Sequence, residues 1–389
     1  MSRSLFASAD KRLKSADDFL ITRYKLWRRF TPLLYDVACT RVIDWPAVTI
    51  EWLAPTGDFA AHGTAPTDTL LLLAHYSSSK EDSLNVMRFV EASDSIGDAA
   101  SAKVVARIPL EASPSIARSM PQRCSLVASR SASGVQLNDF EAATQPARKL
   151  SATLTEGASL AWSGASAGRL VAGTSSGQVV YWDVDHSATP VETRRALDAD
   201  VSPVTAVEFS PDSASTFAYA TEAGTLALVD VRAASAALTM RAPQAVHCVA
   251  HDPTQPSRML SGDSRNDVAL WDWKSPSSPL CVFRDPFAHM KRFPFPKEVT
   301  RLRWCPDRAS MFAAASGDAT VRLWDVARSH CVQSTAEALD GPPELLFLHG
   351  GHTDEVVDVS WSPQSRMTLA SVAEDNIFMV WRPLDKVLE

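Results

Sequence analysis

Two histidines close together, His349 and His352 in the segment His-Gly-Gly-His-Thr, have the clearest capacity for metal or acid–base chemistry. Two imidazoles at one spot do not complete a zinc site, which needs at least one further protein ligand. The alternative is structural, with His352 hydrogen-bonded to a Ser/Trp/Asp network through Asp375 or Asp358. No nucleophile, base and orienting group stand together in a recognisable motif either. We therefore predict a non-catalytic protein with no metal site and no cofactor.

A second group of residues is suited to binding. Glu337, Asp340 and Glu344 surround a rigid Gly-Pro-Pro turn at 341–343, and four apolar residues follow at 345–348. Carboxylates beside hydrophobic residues suit a basic amphipathic helix, because the acids hold its Arg or Lys side chains and the apolar residues contact its other face. The alternative is that residues 345–348 are the first strand of the next structural unit and that the acids lie in a solvated loop.

Short strands that end in an aromatic residue and Asp recur along the chain and must position these groups. The copies are VVYWD at 179–183, LALVD at 226–230, VALWD at 268–272, VRLWD at 321–325 and FMVW at 378–381, with weaker copies VMRF at 86–89 and VQLNDF at 135–140. Upstream of most copies, an alternating strand closes on an aromatic residue near a proline. The pattern predicts seven units of four short strands each.

Each unit has the pattern of one propeller blade. A four-stranded blade cannot bury both faces alone, so blades stack in a ring whose closure protects the sheet edges. Stacked helices are excluded because the apolar spacing has period two rather than 3.6. The sequence therefore predicts an all-β fold, a seven-bladed WD-repeat β-propeller, over residues 41–389.

The segment before the first blade has a helical pattern instead. Its apolar residues recur at three- and four-residue steps: Leu13, Phe19, Leu20, Tyr24, Trp27 and Leu34. We assign residues 1–40 to an N-terminal α-helix that packs on the side of the propeller, and we expect Thr31-Pro32 to end or kink it. Insertion loops are predicted at 77–103, 284–297 and 327–344.

The composition limits the class of partner. Hydrophobic residues make up 46% of the chain and charged residues 21%, the balance of a soluble globular protein. A net charge of −7 argues against direct binding of nucleic acid, which needs clustered Lys and Arg. The six cysteines contain no C-x-x-C pair, and no apolar run is long enough to cross a bilayer. We expect an intracellular protein that contacts neither nucleic acid nor membrane directly.

Both ends of the chain resemble one known family, the histone-binding WD-repeat proteins of the retinoblastoma-binding and chromatin-assembly-factor small-subunit type. YKLWRRFTPLLYDVACTRVIDWPAVTIEWL at 24–53 is similar to the family's signature helix and entry strand. LDGPPELLFLHGGHTDEVVDVSWSP at 339–363 is similar to its proline-proline loop and following strand, and SVAEDNIFMVW at 371–381 closes the same blade. Similarity extends along the whole chain, but the middle blades are generic WD repeats and support only the fold.

The resemblance implies a side groove between the N-terminal helix and the proline-proline loop, which binds a helix of the type-four core histone or of other chromatin partners. By position, Leu34, Phe347 and Leu348 would line its apolar floor. Glu337 and Asp340 would hold a basic side chain. The residue before Asp340 is leucine where the family usually has an acid, so a weaker electrostatic contact is expected.

The resemblance also implies a second site at the mouth of the central channel, for the tail of the type-three core histone or an Arg/Lys-rich peptide. Three acids there resemble those of the family: Glu156, Glu298 and Glu374. Other positions, where the family tends to have acidic, amide or aromatic residues, have become small: Ser113, Ser115, Ala158, Thr205 and Thr300. Lost charge pairs would reduce affinity at this site.

Together these expectations describe a histone chaperone and scaffold subunit of chromatin-assembly, acetyltransferase, deacetylase or Polycomb-type complexes. Such a protein would be a monomer within larger assemblies, and nuclear, with a cytoplasmic pool as an option. The alternative is a WD-repeat adaptor of a non-chromatin complex, such as a ubiquitin-ligase substrate receptor or a ribosome-assembly factor, which would use its top face only. Contact between the helix at 13–34 and the loop at 337–348 favours the first.

Overall fold

Seven antiparallel sheets of four strands each make up the fold. The computed structural model describes residues 16–54, 68–77, 82–91, 101–142, 148–151, 157, 159–196, 202–233, 238–284, 298–329, 331–334 and 341–388. Within these ranges, no helix combines the length and apolar character needed to span a membrane.

The chain begins with helix α1 (Ala16–Leu34) and strand β1 (Tyr35–Val42), and consecutive strands then form six blades. Blade 1 has β2 (Ala47–Leu53), β3 (Asp68–His75), β4 (Ser83–Val90) and β5 (Ser101–Pro109); blade 2 has β6 (Pro114–Met120), β7 (Arg123–Ser131), β8 (Gly134–Asp139) and β9 (Arg148–Leu150). Blade 3 has β10 (Leu160–Trp162), β11 (Arg169–Gly173), β12 (Gln178–Asp183) and β13 (Glu192–Arg195); blade 4 has β14 (Val204–Phe209), β15 (Thr216–Thr221), β16 (Thr225–Asp230) and β17 (Leu238–Arg241). Blade 5 has β18 (Val246–His251), β19 (Arg258–Asp263), β20 (Val268–Asp272) and β21 (Cys281–Phe283); blade 6 has β22 (Val299–Trp304), β23 (Met311–Ser316), β24 (Thr320–Asp325) and β25 (Leu345–His349).

The two ends of the chain share the last blade. Blade 7 has β26 (Val356–Trp361), β27 (Leu369–Ala373) and β28 (Ile377–Pro383), and β1 from the N-terminal end is its fourth strand. β1 pairs antiparallel with β28, from Tyr35 opposite Pro383 to Val42 opposite Ile377. This pairing closes the ring and covers the edge of β28. The predicted seven-bladed propeller is confirmed.

The N-terminal boundary differs from the prediction. Residues 35–40, assigned to the helical segment 1–40, belong to β1 and therefore to the propeller. The helix also runs two residues past Pro32, which was expected to end or kink it. A proline in the last turn removes only one backbone donor, and the hydroxyl of Thr31 donates to the carbonyl of Trp27 at 2.8 Å within the same turn.

The predicted insertion loops need two further corrections. The range 77–103 contains β4, whose Leu84, Val86 and Phe89 are buried, so its polar surroundings concealed a core strand. Residues 345–348 belong to β25, the outer strand of blade 6, and are not the first strand of the last blade. The insertion before them begins with a short 3-10 turn, Val326–Arg328. Residues 285–297 lie outside the described part of the chain.

The core lies between neighbouring blades, which is why both faces of the inner strands are apolar. The tryptophans that end the repeated strands, Trp182, Trp271, Trp324 and Trp381, are at most 2% exposed. The first strands of successive blades contact one another around the central channel, while outer strands such as β13 and β17 are largely exposed. This arrangement leaves three kinds of surface for binding: the channel ends, the channel interior and the blade edges.

Candidate functional site

Helix α1 is anchored where blades 6 and 7 meet. The guanidinium of Arg23 donates to the backbone carbonyls of Asp318 (2.9 Å) and Ala319 (3.1 Å), in the turn between β23 and β24. It also donates to the carbonyl of His352 (2.9 Å), just before β26. Arg23 is 2% exposed, and burial lowers its pKa to about 10. A buried cation bound to three carbonyls sets the position of the helix on this junction.

A chain of aromatic contacts continues from the helix into the last blade. The indole N–H of Trp27 donates to the hydroxyl of Tyr35 (2.9 Å), and that hydroxyl lies 2.8 Å from Nδ1 of His349. The imidazole of His349 stacks on Trp381, with 4.3 Å between ring centroids. Burial lowers the pKa of His349 well below its ordinary value, so the ring is neutral. His349 therefore joins α1 and β1 to the propeller core.

His352 belongs to a hydrogen-bonded Ser/Trp/Asp network, the structural alternative to metal binding. Its Nε2 lies 2.8 Å from the hydroxyl of Ser371, which also accepts from the indole N–H of Trp381 (3.1 Å). Its Nδ1 lies 3.5 Å from a carboxylate oxygen of Asp375. Asp375, and not Asp358, is thus the acid of this network. In the part of the chain that the structure describes, no three His, Cys, Asp or Glu residues are placed to hold a metal ion.

The three residues predicted for the floor of the side groove lie below the surface. Leu34 is 7% exposed, Phe347 0% and Leu348 3%. Leu34 and Phe347 belong to one core cluster, in which the ring of Phe347 meets Tyr35 edge-on at 5.2 Å. Leu34 and Phe347 therefore pack the end of α1 against β25. The apolar surface that α1 offers to solvent at this end is Leu33, which is 60% exposed and which the helical periodicity did not single out.

The proline-proline turn leads directly into β25. Gly341 has a φ of +113°, a backbone conformation that favours glycine. The N–H of Leu345 donates to the carbonyl of Pro342 (3.1 Å), and the N–H of Asp325 donates to the carbonyl of Glu344 (2.8 Å). The turn is therefore bonded to itself and to the end of β24. Glu337 and Asp340, the predicted acids of the groove, lie outside the described residues.

Three glutamates lie at the end of the channel where the first strands begin. Glu298 and Glu355 immediately precede β22 and β26, and Glu374 lies in the turn after β27. The charges of Glu298 and Glu374 add to desolvation, the largest cause, in raising the pKa of Glu355. The hydroxyl of Tyr76 donates to Glu374 at 2.7 Å, and His247 lies 3.5 Å from Glu298. We call these three glutamates the mouth acids.

The structure places Glu298 and Glu374 near Glu355, a third acid that the sequence analysis missed. The sequence feature that could have identified Glu355 is its position, because Glu355 and Glu298 each stand directly before the first strand of a blade. Glu156, the third predicted acid, lies outside the described residues. A cation is favoured wherever carboxylates raise one another's pKa, because it removes their mutual repulsion.

The serine and threonine residues that stand at the channel where the family tends to have acidic, amide or aromatic residues have a structural role. Three of them are the second residue in the first strand of a blade, and each hydroxyl donates a hydrogen bond of 2.5–2.8 Å to a backbone carbonyl of the next blade. The pairs are Ser115 with Gly157, Thr205 with Val246 and Thr300 with Val356. These bonds tie neighbouring blades together around the ring. Ser113 donates to Asp82 at 2.9 Å. Ala158 lies outside the described residues.

Comparisons with known proteins agree with this architecture. Residues 22–91 match the model of a family described as histone-binding protein RBBP4 or a subunit of the CAF1 complex. Residues 288–325 and 343–382 match the WD domain, G-beta repeat. Histone acetyltransferase type B subunit 2 of Candida glabrata is 24% identical over 379 residues, which cover 92% of this chain and 87% of that protein.

The first of these matches contains α1 from residue 22 onwards, β1 and the whole of β2, where the sequence resemblance was strongest. It ends with the second-last strand of blade 1, and the WD matches cover blades 6 and 7 on either side of the helix anchor. These matches confirm the resemblance predicted from the sequence: the chain is a WD-repeat propeller, and its residues 22–91 are similar to the histone-binding family described as RBBP4 or a subunit of the CAF1 complex.

Proposed function

We propose that this protein is a non-catalytic, histone-binding subunit of chromatin complexes that binds a histone helix beside α1. The observation that carries the proposal is the docking of α1 against the junction of blades 6 and 7, through Arg23 and the Trp27–Tyr35 bond. The ring of Trp27 on this helix meets His349, the last residue of β25, edge-on at 5.7 Å, so the helix lies beside β25. The match of residues 22–91 to a histone-binding family supports the same surface.

The proposed groove joins an apolar and an acidic side. Leu33 supplies exposed apolar surface, and the buried Leu34, Phe347 and Leu348 form the support beneath it. Glu337 and Asp340 would supply the carboxylates for a basic side chain of the histone helix. Such a helix would present leucine-type residues to Leu33 and arginine or lysine to these two acids, the usual arrangement of a helix bound in a groove.

The mouth acids provide a second, cation-binding surface in this proposal. Glu298, Glu355 and Glu374 would accept Arg or Lys side chains of a histone tail or of a short basic peptide, together with Glu156 from the adjoining segment. Desolvation and the two neighbouring charges raise the pKa of Glu355, so an incoming cation would stabilise its ionised form. The neutral hydroxyls that line the rest of the channel entrance would add little charge.

The proposed partners are histones and the other subunits of chromatin complexes. The relative named histone acetyltransferase type B subunit 2 favours an acetyltransferase complex among the four kinds considered from the sequence. A nuclear location follows from these partners. We propose that the structural parts are an N-terminal segment that ends with α1 at residue 34 and a propeller that begins at residue 35, and that a monomer enters these complexes.

Titration calorimetry with a type-three/type-four histone complex, at two salt concentrations, tests the proposal. The informative variant is Leu33→Asp combined with Asp340→Lys, because Leu33 is 60% exposed and Asp340 is the proposed partner of a basic histone side chain. Its matched control is Val42→Asp, an apolar residue 79% exposed at the opposite end of β1. Val42 lies about 24 Å along β1 from the start of that strand, where α1 ends.

The proposal expects tight binding by the wild type and by Val42→Asp, and at least about a tenfold loss in the double variant. Binding that the double variant leaves intact would move the histone site away from α1. A wild-type chain that binds no histone at either salt concentration would overturn the chaperone function and leave the non-chromatin adaptor.

A further inference from the structure

A cavity of about 160 Å³ lies in the central channel, lined by residues of the first strands of blades 1 to 6. Its charged residues stand near the ends of those strands, whereas the mouth acids Glu298 and Glu355 stand before their beginnings. The charged residues of the cavity therefore lie deeper in the channel than the mouth acids. Five charged side chains line it: Glu51, Arg118, Glu208, Arg301 and Arg303.

Two of the three arginines are committed to one buried carboxylate. Asp358, with a fully buried side chain, accepts from Arg118 at 2.8 and 3.2 Å and lies 3.0 Å from Nε of Arg301. It also accepts from the backbone N–H of Ile50 at 3.2 Å. These guanidiniums keep the pKa of Asp358 low, against the desolvation that opposes them. The single carboxylate of Asp358 is thus the partner of two guanidiniums.

The two glutamates of the cavity are bonded to other groups. Glu51 accepts from the backbone N–H (3.2 Å) and hydroxyl (2.7 Å) of Ser119, and Glu208 accepts from the backbone N–H of His251 (2.8 Å). Within the described residues, neither glutamate comes within ion-pair distance of a guanidinium. The guanidinium of Arg303 has no hydrogen bond or ion pair to any residue in the same ranges, although it lines the cavity wall.

The charges of the cavity do not cancel at neutral pH. Burial raises the pKa of Glu208 to about 7 and also raises the pKa of Glu51. Titratable groups surround Glu208 on four strands. They are Glu51 on β2, Arg118 on β6, Cys248 and His251 on β18, and Arg301 and Arg303 on β22. Strand β10 contributes only its uncharged residues 160–162 to the cavity wall. Burial raises the pKa of Cys248 to about 12 and lowers that of His251 to about 4, so both are neutral. When Glu208 is protonated, three guanidiniums face at most two carboxylates.

We infer that this cavity is a binding site for a small tetrahedral oxyanion of the phosphate or sulfate class, held by Arg303 and Arg301. The two residues are separated by one position on β22, so their side chains project from the same face of the strand, towards the channel. The planar donor fork of guanidinium matches the oxygens of such an anion. The cavity volume of about 160 Å³ admits a free inorganic anion.

Sulfate is the appropriate probe, because its charge is constant over the pH range in which Glu208 titrates. The full chain is titrated with sulfate by calorimetry in chloride buffer of constant ionic strength, at about pH 6 and about pH 8. We expect one saturable site, with an affinity that is higher at the lower pH by up to about tenfold, the limit set by one group with a pKa of about 7. Glu208→Gln, which mimics the protonated acid, should bind at about pH 8 as tightly as the wild type does at about pH 6.

Arg303→Gln removes the uncommitted guanidinium and should lower the affinity at least about tenfold. Arg195→Gln, at an exposed position on the outer strand β13, is the matched control and should bind as the wild type does. Arg303→Lys keeps the charge without the fork and serves if the glutamine variant does not fold. Absence of saturable sulfate binding by the wild type at both pH values would overturn the inference. So would a sulfate affinity that Arg303→Gln, or Arg303→Lys in its place, leaves unchanged.

Discussion

The backbone carbonyl of Leu34, the last residue of α1, accepts a hydrogen bond from the backbone N–H of Leu384 at 3.0 Å. Leu384 directly follows β28 and precedes the short helix α2 (Asp385–Leu388), so this bond joins the two ends of the described chain. Arg328, in the 3-10 turn after β24, donates to the carbonyl of Leu388 at 3.3 Å. The helix, the closing blade and the segment before the proline-proline turn thus form one connected region.

Loss of the Arg23 guanidinium should release α1 from this region. Arg23→Met leaves three carbonyls without their donor, and we expect a loss of about 2–4 kcal/mol in the free energy of unfolding. Urea denaturation measures the loss. Arg28→Met, at an exposed position on the same helix, is the control and should change stability little. A loss below about 0.5 kcal/mol for Arg23→Met would contradict the anchoring role.

The repeated blades could be predicted from the sequence because every blade must bury the same kind of apolar residue at the same place in its strands. The aromatic residues before Asp, such as Trp182 and Trp324, had to be buried between blades, and they are. The position of β1 was not readable, because its partner β28 lies more than 300 residues away in the sequence and local periodicity carries no information about that pairing. The pairing of residues 345–348 with β24 was not readable for the same reason, since an apolar run does not reveal which neighbour it pairs with.

The binding residues were only partly predictable. Apolar spacing along the helix identifies its buried stripe, with Leu20, Trp27 and Leu34. It therefore points to Leu34, which is buried, and not to Leu33, which is the apolar residue exposed to solvent at this end. Glu355 was overlooked because its proximity to Glu298 and Glu374 arises from the closure of the ring. The opposed charges of the channel interior come from strands of different blades, and no local motif connects Arg303 with Glu208.

Ser371 holds two side chains of the last blade at once. Ser371→Ala leaves the indole N–H of Trp381 and Nε2 of His352 without their partner, and both are buried. We expect a loss of about 2–3 kcal/mol in the free energy of unfolding, measured by urea denaturation. Thr189→Ala, at an exposed turn, is the matched hydroxyl deletion and should be near neutral. Equal stability of the two variants would show that the network contributes nothing to the fold.

Glu208 should make stability depend on pH. Its pKa is raised by desolvation to about 7 in the folded state, against 4.5 as the ordinary value. Between these values the folded state binds more protons than the unfolded state, so the contribution of Glu208 to stability falls as pH rises and is fully lost above about pH 7. Glu208→Gln should therefore be more stable than the wild type by up to about 3 kcal/mol at alkaline pH.

The same difference should vanish at about pH 4, where Glu208 is protonated in both states. Thermal or urea unfolding of the two proteins across this pH range measures it. Glu111→Gln, at an exposed residue, should give a difference that does not vary in this way. A constant difference between Glu208→Gln and the wild type at all pH values would contradict burial of an ionisable group in the channel.

Glu355→Gln should separate stability from binding at the mouth acids. Removal of one charge relieves repulsion with Glu298 and Glu374, so the variant should be as stable as the wild type or more stable. Its affinity for a Lys/Arg-rich histone-tail peptide should fall by about three- to tenfold, and with a weaker salt dependence. Glu192→Gln, on the outer strand β13, is the control. Unchanged peptide affinity in Glu355→Gln would remove this acid from the site.

Gly351 tests whether the docking of α1 governs histone binding. A Cβ at this position would lie 2.8 Å from Sδ of Met379 and 2.9 Å from two ring carbons of Trp27, closer than such atoms approach. Gly351→Ala should therefore displace Trp27, with a cost of about 1–3 kcal/mol that falls mainly on α1. Hydrogen exchange should be faster in Ala16–Leu34 and little changed in blades 2 to 4, and histone affinity should fall in the same variant.

A control variant separates the steric cause from a general loss of stability. Gly164→Ala adds a Cβ that meets nothing within 4 Å and should leave both exchange and affinity unchanged. If Gly351→Ala loosened α1 but retained full histone affinity, the groove beside the helix would not be the histone site, even though the helix anchor were correct. If both changed together, the position of Trp27 under α1 would be part of the binding surface, because the groove exists only while the helix is held against blades 6 and 7.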